Sequence, residues 1–334
     1  MERVVVTGAG GFIGHHLVTY LKSRGYWVRG VDLKYPEYTD VDADEFEILD
    51  LRKWDACLQA LRGVQHVYAL AADMGGMGFI SANHAVILRN NALINLHTME
   101  AARVHGIERY LYTSSACIYP EELQTEADVK PLREEDAYPA NPQDAYGWEK
   151  LITERLCQHY REDYGIETRI ARFHNIFGPY GTWSGGREKA PAALCRKIAT
   201  AKWLGKPEIE IWGDGEQTRS FCFVDDCVQG IFRLMRSDYP HPLNLGQDRM
   251  VTINELADII ADIAGIQLIK KHIPGPQGVR GRNSDNTRLR EVLHWQPEIS
   301  LEEGFARTYA WIESQVKTRQ VTTERPALLP VTSS

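Results

Sequence analysis

The sequence predicts an α/β protein with a doubly wound parallel sheet and a smaller lobe that is interleaved with it along the chain. Three observations predict this class. Short β-branched strands alternate with amphipathic helical segments over the first half of the chain, a glycine-rich turn follows the first strand, and small polar residues end several strands. Parallel neighbours need crossover helices between them, so this alternation favours a parallel sheet.

Composition limits the class of protein. The 334 residues are 43% hydrophobic and 25% charged, which suits one large domain with a second lobe, or two domains. A net charge of −7 disfavours wholesale binding to nucleic acid or anionic membrane. The six cysteines have neither a Cys-x-x-Cys pair nor metal-ligand spacing, so we expect reduced thiols and no metal.

The chain carries no sign of a membrane or secretory segment. No apolar run approaches the roughly 18 residues that a membrane span needs. The first predicted strand begins at Arg3, which leaves no room for a signal peptide. We therefore expect a cytoplasmic location.

Periodicity and β-branched residues predict the elements in chain order. Strands are predicted at residues 3–7, 27–31, 45–49, 66–70, 107–113 and 168–172. Helices are predicted from the end of the glycine turn at residue 14 to about residue 24, and at 51–61, 80–105, 145–164, 253–264 and 301–317, with another beginning after Pro191. Residues 217–236 predict a strand and a helix that return to the sheet, and residues 120–142, rich in Glu, Asp and Pro, predict a surface loop.

The glycine turn at residues 8–14 joins the first strand to the first helix. Three glycines at a spacing of three let the backbone approach a pyrophosphate closely, with the amino end of the helix facing its charge. The turn and its flanking elements together indicate a Rossmann dinucleotide-binding unit. Its candidate cofactor contacts are Gly8, Gly11, Phe12, Ile13 and Gly14.

Two carboxylates follow at strand ends. Asp32 lies about twenty residues beyond the turn, where a carboxylate can accept hydrogen bonds from both ribose hydroxyls of a dinucleotide. A 2′-phosphate would be repelled there, so the sequence favours NAD over NADP. Asp50 is expected either to receive the adenine amino group or to cap the next helix.

Polar residues also follow the strand at 107–113. Ser114-Ser115-Ala116-Cys117 lies at the carboxyl end of a buried parallel strand, where open α/β sheets bind ligands. A strand that simply ends in small polar residues is the alternative.

Tyr146 and Lys150 are four residues apart, so on a helix they share one face. A free tyrosine has a pKa of about 10, and a fixed cation nearby favours the phenolate. The pair therefore predicts a general base that takes a proton from a sugar hydroxyl while hydride leaves for NAD.

The glycine turn, Asp32, Ser115, Tyr146 and Lys150 together resemble the extended short-chain dehydrogenase/reductase family, whose members act on nucleotide sugars. The resemblance implies NAD as cofactor, contacted also by Tyr146 and Lys150. The predicted domains are an NAD-binding Rossmann domain at 1–172 plus 217–243, a nucleotide-sugar domain at 173–216 plus 244–317, and a mobile tail at 318–334.

Longer blocks resemble one branch of that family, whose members epimerise GDP-mannose at C3 and C5. The blocks lie at residues 71–80, 114–120, 172–176, 185–191, 212–215, 217–221 and 280–285. The resemblance extends to about residue 312. The chain departs from the plant members by lacking their amino-terminal extension and by differing after Lys317, so no residue of the tail is assigned.

This closer resemblance implies an acid/base pair, Cys117 and Lys189. Transient oxidation at C4 acidifies the protons at C3 and C5, and Ser115 and Tyr146 can stabilise the enolate. Inversion needs a proton removed from one face and returned to the other, so one residue cannot suffice. Without the resemblance, residue spacing alone would indicate that Cys117 is a packing residue and that Lys189 is a solvated cation in a loop.

The resemblance also implies a set of substrate contacts around GDP-mannose. Arg219 and Arg282 suit the pyrophosphate, because a guanidinium pairs with phosphate oxygens in bidentate fashion. The set comprises Gly75, Ser115, Ala116, Cys117, Asn175, Glu188, Lys189, Ala190, Lys197, Gln217, Thr218, Arg219 and Arg282.

Three other functions remain open at this stage. A nucleotide-sugar 4-epimerase needs only hydride transfer out and back, a 4,6-dehydratase usually carries an acidic pair where this chain has Ala116-Cys117, and a non-catalytic NAD-binding protein need not keep Tyr146 and Lys150. By analogy with the family we expect a homodimer that associates through residues 80–105 and 145–164.

Overall fold

The structure is a computed structural model that describes residues 2–324. Within this part of the chain the strands are β1 (Arg3–Thr7), β2 (Trp27–Asp32), β3 (Glu45–Ile48), β4 (His66–Ala69), β5 (Arg109–Ser115), β6 (Glu167–Phe173), β7 (Ile176–Phe177), β8 (Glu208–Trp212), β9 (Thr218–Ser220), β10 (Cys222–Phe223), β11 (Pro242–Leu245), β12 (Met250–Thr252), β13 (Ile269–Ile273) and β14 (Gly281–Arg282). The α-helices are α1 (Phe12–Ser23), α2 (Trp54–Ala60), α3 (Met77–Ile80), α4 (His84–Val104), α5 (Ala145–Tyr164), α6 (Ala190–Leu204), α7 (Val224–Arg236), α8 (Ile253–Ala264), α9 (Thr287–Leu293) and α10 (Leu301–Glu324).

The central sheet has seven strands in the order β11-β6-β5-β4-β1-β2-β3, and every pair is parallel. The predicted doubly wound parallel sheet is confirmed. The strand order reverses between β1 and β4, and open α/β sheets bind ligands in the crevice at such a switch point. The carboxyl ends of β1, β2, β4 and β5 therefore face the same crevice.

Alternating side chains on the strands fill two core layers. On one face Val5, Val67 and Tyr110 pack with buried residues of α2, α4 and α5. On the other face Val4 and Leu111 join a cluster that includes α1 and α7 and continues into α6, α8 and α10. The second lobe therefore shares a continuous core with one face of the sheet.

The second lobe is built from short strands and three helices. β9 pairs antiparallel with β12 and parallel with β14, while β8 pairs with β13. The sequence predicted that the strand within 217–236 returns to the main sheet, and this is wrong: β9 lies in the lobe, and the chain returns through α7 and β11. Strands this short carry too little periodicity to reveal their partners.

Two predicted elements need correction. Residues 80–105 were predicted as one helix, but a break at residues 81–83 separates α3 from α4. Residues 120–142 were predicted as a surface loop, but Pro120 and Pro142 form a β-bridge and Gln124 and Leu132 are buried. Some polar groups of this segment form hydrogen bonds with the protein interior, and the others face solvent.

The last helix is longer than predicted. α10 continues past Lys317, its predicted end, to Glu324, so the segment predicted as a tail begins within a helix. Residues 325–334 of that predicted tail lie outside the described part of the chain. Among the helices that the structure describes, none combines the length and the apolar character that crossing a membrane requires.

Candidate active site

In the glycine turn between β1 and α1, the neighbouring backbone leaves no room for a side chain at Gly10 or Gly14. A Cβ on Gly10 would lie 2.1 Å from the Lys34 carbonyl oxygen, and one on Gly14 would lie 2.0 Å from that of Gly8. Gly8 has a φ of +73°, which L side chains rarely adopt. Gly11 is the N-cap of α1 and no side chain caps the helix, so the amides of Phe12 and Ile13 begin it. A pyrophosphate fits this arrangement.

Asp32 ends β2 beside this turn. Its carboxylate accepts hydrogen bonds from the backbone N–H of Gly10 at 3.0 Å and of Leu33 at 2.6 Å. Burial raises the pKa of Asp32, and the two amides oppose that rise by stabilising the charged form. The carboxylate is therefore oriented at the edge of the crevice, as NAD ribose recognition requires.

Asp50 pairs with a neighbour. Its carboxylate accepts from Arg52 Nε at 2.8 Å and Nη2 at 2.9 Å, and Arg52 lowers the pKa of Asp50. The N-cap of α2 is Lys53, so the capping alternative does not apply.

Ser115 and Cys117 lie together where β5 ends. Ser115 Oγ accepts from the Cys117 backbone N–H at 3.1 Å, which starts a single 3₁₀ turn at Ala116–Ile118. A Cβ on Gly147 would lie 2.2 Å from the Cys117 carbonyl oxygen. The first turn of α5 is therefore pressed against Cys117, which brings Tyr146 to the end of β5.

Tyr146 is buried, with 7% of its surface exposed, and the Ser115 hydroxyl lies close enough to its phenol to affect its pKa. The sequence predicted a lowered phenol pKa, but burial raises the pKa of Tyr146 well above its ordinary value. Negative charge at Cys117 acts in the same direction, and the Ser115 hydrogen bond opposes it. Without further positive charge at the site, Tyr146 is held as a neutral phenol.

Lys150 is buried beneath Tyr146. Its Nζ donates to the Thr113 carbonyl at 2.8 Å and lies 5.5 Å from the centre of the Tyr146 ring and 4.8 Å from that of Tyr112. Burial lowers the pKa of Lys150, and the Glu149 carboxylate opposes that shift most strongly. Lys150 faces the aromatic ring of Tyr146, so its charge acts less strongly on the phenol than the sequence spacing suggested.

Cys117 is bound by a guanidinium. Arg282 Nη1 lies 3.3 Å from Cys117 Sγ, and Arg282 Nε donates to Gln124 Oε1 at 2.5 Å. Arg282 is itself buried, with 8% of its surface exposed. The sulfur of Cys117 therefore lies beside a fixed positive charge, an environment typical of reactive cysteines.

Lys189 faces the same cleft. As a residue Lys189 is exposed, while protein atoms around its ammonium desolvate the charge and lower the pKa of Lys189, and negative charge at Cys117 opposes the shift. Lys189 is the N-cap of α6, and its carbonyl accepts from the Ala193 amide at 2.9 Å. Cys117 and Lys189 thus approach one cleft from the sheet and from the lobe.

Arg219 lies beside Arg282 without an acidic partner. Its guanidinium donates to the Thr218 carbonyl at 2.7 Å and to the Val279 carbonyl at 2.6 Å. Burial and the charge of Arg282 lower the pKa of Arg219. Among the side chains that the structure describes, neither guanidinium pairs with a carboxylate, so the two retain positive charge for an anionic ligand.

The other predicted substrate contacts lie around this cluster with protein partners of their own. Glu188 accepts from Arg196 at 2.9 Å and from the Gly186 amide at 2.6 Å. Four more of these residues donate to backbone carbonyls: Asn175 Nδ2 to Ser220 at 2.9 Å, Lys197 Nζ to Glu210 at 2.6 Å, Gln217 Nε2 to Trp212 at 3.2 Å and Thr218 Oγ1 to Ala127 at 2.5 Å. Gly75 is buried against Phe79, and Ala190 is the first residue of α6. Gln217 Oε1 is buried and has no hydrogen-bond partner.

The structure therefore brings Ser115, Cys117, Tyr146, Lys150 and Lys189 into one cleft. Glu188 accepts from Arg196 of α6, and Lys197 of α6 donates to the Glu210 carbonyl, so both residues connect α6 to neighbouring segments. Sequence reasoning missed Gly10, Gly147 and Gln124. The double glycine at 10–11 was a signal for the first, and the glycine that follows Tyr146 was a signal for the second. Gln124 had no signal, because it lies 158 residues from Arg282.

Comparison with known proteins shows the family to which the chain belongs. Residues 4–246 match the family described as the NAD dependent epimerase/dehydratase family. The chain is 54% identical over 317 residues to GDP-mannose 3,5-epimerase 1 of Oryza sativa subsp. japonica, a match that covers 94% of this chain and 82% of that protein. It is 53% identical to GDP-mannose 3,5-epimerase of Arabidopsis thaliana, over 94% of this chain and 83% of that protein.

Solved structures agree on the fold. UDP-glucose 4-epimerase with UDP-glucose from Thermotoga maritima superposes with a TM-score of 0.84 at 26% identity, covering 94% of this chain and 100% of that chain. UDP-glucose 4-epimerase in complex with NAD from Thermus thermophilus superposes with a TM-score of 0.81 at 23% identity, over 93% of this chain and 99% of that chain.

Proposed function

Because the chain belongs to the NAD-dependent epimerase/dehydratase family, we propose that it is a GDP-mannose 3,5-epimerase. It converts GDP-D-mannose to GDP-L-galactose and forms GDP-L-gulose when only C5 is inverted. The observation that carries this proposal is the approach of Cys117 and Lys189 to one cleft beside Tyr146, in a chain 54% identical to a GDP-mannose 3,5-epimerase.

NAD is the cofactor of this family, and when bound it accepts a hydride from C4 of the sugar and later returns it. The close-packed glycine turn leaves room for its pyrophosphate at the amino end of α1. Asp32, oriented by the Gly10 amide, would accept from the ribose hydroxyls, and Asp50, beside Arg52, lies at the next strand end. Tyr146 and Lys150 lie at the inner end of the same crevice.

Tyr146 takes the proton of the C4 hydroxyl during oxidation and returns it during reduction. Burial raises the pKa of its phenol, so proton removal depends on positive charge at the site, which Lys150 supplies. Ser115, close to the same phenol, donates toward the C4 oxygen. Both donors stabilise the negative charge that this oxygen carries when a neighbouring carbon loses its proton.

Cys117 and Lys189 exchange protons with C5 and C3. The ketone at C4 makes both carbon acids, and inversion needs one group to remove a proton and another to supply one from the opposite face. Cys117 approaches from the end of β5 and Lys189 from the start of α6, so two elements on different sides of the cleft carry them. The lowered pKa of Lys189 brings its amine closer to proton exchange at neutral pH.

Arg219 and Arg282 are proposed to bind the pyrophosphate of GDP-mannose. Arg282 is buried and Arg219 is half-buried beside it, neither pairs with a carboxylate, and an anion between them would offset their mutual repulsion. Arg282→Ala is expected to weaken GDP-mannose binding while sparing NAD. Equal GDP-mannose affinity in a titration of the variant and the native protein would contradict this role.

The alternatives within the family explain fewer of these residues. A 4-epimerase has no use for a thiol and an amine that flank the sugar, and the position where a 4,6-dehydratase usually has acidic residues holds Ala116 and Cys117. The geometry around Cys117, with a buried guanidinium at its sulfur, favours 3,5-epimerisation.

The proposed assembly is a homodimer that associates through α4 and α5. These two helices pack against each other and expose large apolar side chains at helical spacing, Leu88 and Leu96 on α4 and Trp148 and Ile152 on α5, of which Ile152 is 61% exposed. In a symmetric homodimer this apolar stripe is buried against the same face of a second copy of the chain. Light scattering should give a dimer, and Leu96→Glu with Ile152→Glu should give a monomer.

The proposed location is the cytoplasm. All six cysteines are free, and proton exchange at Cys117 needs a reduced thiol, which a reducing compartment maintains. Fractionation of the source cells with immunodetection would test it, and recovery only from an oxidising compartment would contradict it.

The direct test of the function is product analysis. Purified protein incubated with GDP-mannose and analysed by NMR should form GDP-L-galactose, with GDP-L-gulose as the C5-only product. A 4-inverted sugar or a dehydrated 6-deoxy sugar as the sole product would replace this proposal with one of the alternatives. Unchanged GDP-mannose would reject all three.

A further inference from the structure

An ion pair crosses the cleft beside Lys189. Asp73, in the glycine-rich loop after β4, accepts from Arg187 Nη1 at 3.1 Å, and Arg187 lies two residues before Lys189. The loop belongs to the sheet domain and the partner segment leads into α6 of the lobe. The pair therefore joins the two sides of the cleft next to the proposed acid/base residue.

Asp73 is held on the sheet side by α4. Its backbone N–H donates to Asn91 Oδ1 at 2.6 Å, and Asn91 Nδ2 returns a hydrogen bond to the Asp73 carbonyl at 3.1 Å. Asn90 Nδ2 donates to the Asp73 carboxylate at 2.9 Å. Both asparagines are buried, so the carboxylate has a fixed direction.

Two further contacts hold Arg187 against the same loop and against α3, which follows it. Its guanidinium lies 3.8 Å from the centre of the Phe79 ring, and its carbonyl accepts from the Gly76 amide at 3.0 Å. A cation over an aromatic face is attracted to it, so Phe79 and Asp73 restrain the same guanidinium.

These contacts reach Lys189 through the backbone. A Cβ on Gly76 would lie 2.5 Å from the Glu188 carbonyl oxygen, so the loop and the segment at 187–189 touch backbone to backbone. Lys189 is the residue at which this segment enters α6. Its Cα is thus fixed by the helix on one side and by the loop on the other.

We propose that the Asp73–Arg187 ion pair is a positioning device that holds Lys189 in place opposite Cys117. Neither Asp73 nor Arg187 is proposed to touch the reacting carbons. The proposal rests on the proposed function for its catalytic readout, and on the structure alone for its second readout. The side chain of Arg187 is 52% exposed, so its loss should leave the fold intact.

The first readout is the rate of inversion. Arg187→Met keeps the stem of the side chain and removes the charge, and we expect it to lower kcat for inversion of GDP-mannose by about 10- to 100-fold, since a small displacement of a reacting group has effects of this size. KM should change by less than about threefold, because the interaction acts on the transition state. Asp73→Asn should lower kcat by a similar factor. The double variant should be no slower than the slower single variant, because both substitutions break the same ion pair.

The second readout does not need turnover. Labelling of Lys189 by an amine reagent, followed by mass spectrometry across a pH range, reports the crowding that lowers its pKa. In Arg187→Met the midpoint of Lys189 labelling should rise toward the ordinary value of a lysine, while exposed Lys206 serves as the internal reference. Arg187→Lys should restore part of both readouts.

The matched control is Arg249→Met, which removes an equally exposed arginine from an ion pair with Glu302 that contacts neither the loop at 73–79 nor the segment at 187–189, and it should change neither readout. An unchanged Lys189 midpoint in Arg187→Met would overturn the inference whatever the turnover. If the Lys189 midpoint shifts in Arg187→Met but native protein does not invert GDP-mannose, the positioning of Lys189 is supported and the proposed function is rejected. A rate loss in Arg249→Met equal to that in Arg187→Met would also overturn the inference.

Discussion

Arg282 Nη1 lies 3.3 Å from Cys117 Sγ, and this contact couples a residue of the lobe to the end of β5. Arg282 cannot turn away freely, because its Nε donates to the buried side chain of Gln124. A guanidinium is thus fixed at the sulfur, and a sulfur in an electropositive, partly exposed site is the more reactive one.

Arg282→Met should therefore slow alkylation of Cys117. Cys117 is the partly exposed cysteine and the other five are buried, so iodoacetamide uptake reports the reactivity of Cys117. At neutral pH we expect a loss of about tenfold in rate, which corresponds to one strong charge-assisted interaction. Arg280→Met, which removes a half-exposed arginine paired with Asp214, is the control and should alkylate at the native rate. Equal rates in Arg282→Met and native protein would contradict a guanidinium–thiolate contact.

Tyr146→Phe should stop the reaction before any carbon is inverted. Removing the phenol oxygen removes the group that accepts the C4 hydroxyl proton, and loss of a general base costs about 10²- to 10⁴-fold in rate. The measurement is the absorbance of reduced nicotinamide formed when GDP-mannose is added. Tyr138→Phe, at an exposed position, should behave as native protein. Rapid reduction of the cofactor by Tyr146→Phe would remove Tyr146 from this role.

Asp32→Ala should change which dinucleotide binds. The carboxylate, held by the Gly10 amide, is placed to accept from ribose hydroxyls and to repel a 2′-phosphate. We expect the variant to lose about tenfold or more in NAD affinity and to gain NADP affinity, since a charged hydrogen bond is lost and a repulsion removed. Titration with both dinucleotides measures this, with Asp55→Ala in α2 as the control. An unchanged ratio of the two affinities would place the ribose elsewhere.

His174 should make the protein sensitive to mild acid. Burial lowers the pKa of His174 from 6.5 to about 3, and its Nε2 shares a hydrogen bond with Asn244 at 2.9 Å. The unfolded chain binds a proton at this histidine below pH 6.5 while the folded protein does not, so stability falls as pH falls through the window from 6.5 to about 3.

At pH 5 this single group should cost about 2 kcal/mol relative to pH 8. Urea unfolding at both values measures the difference. His174→Gln keeps a polar side chain without the titration, and it should reduce the loss by about that amount, while the exposed His159→Gln should not. An identical pH dependence in His174→Gln and native protein would show that His174 titrates normally.

The local parts of the site were predictable from the sequence. Strand, glycine turn and helix follow one another within a few residues at 3–23, and Tyr146 and Lys150 lie on one helical face because of their spacing. The acid/base pair Cys117 and Lys189 came from resemblance, since a lone thiol and a lone amine carry no spacing signal.

The parts that depend on tertiary contacts were not predictable. The direction of the Tyr146 pKa depends on burial, which no local pattern reports, and it was opposite to the prediction. Gln124 supports Arg282 from a segment whose composition is typical of a surface loop. The pairing of β9 with β12 and β14 brings residues from three separate stretches together, and strands of two or three residues are too short to predict it.

The central claim is that Cys117 and Lys189 exchange protons with the carbons next to a transient C4 ketone. The most direct test is NMR of GDP-mannose incubated in deuterated water with native protein, Cys117→Ala and Lys189→Met. The account predicts deuterium at C5 and C3 of the native product, and in both variants reduced nicotinamide without inversion. Inversion at the native rate by either variant, or a native product without deuterium at C5, would contradict it.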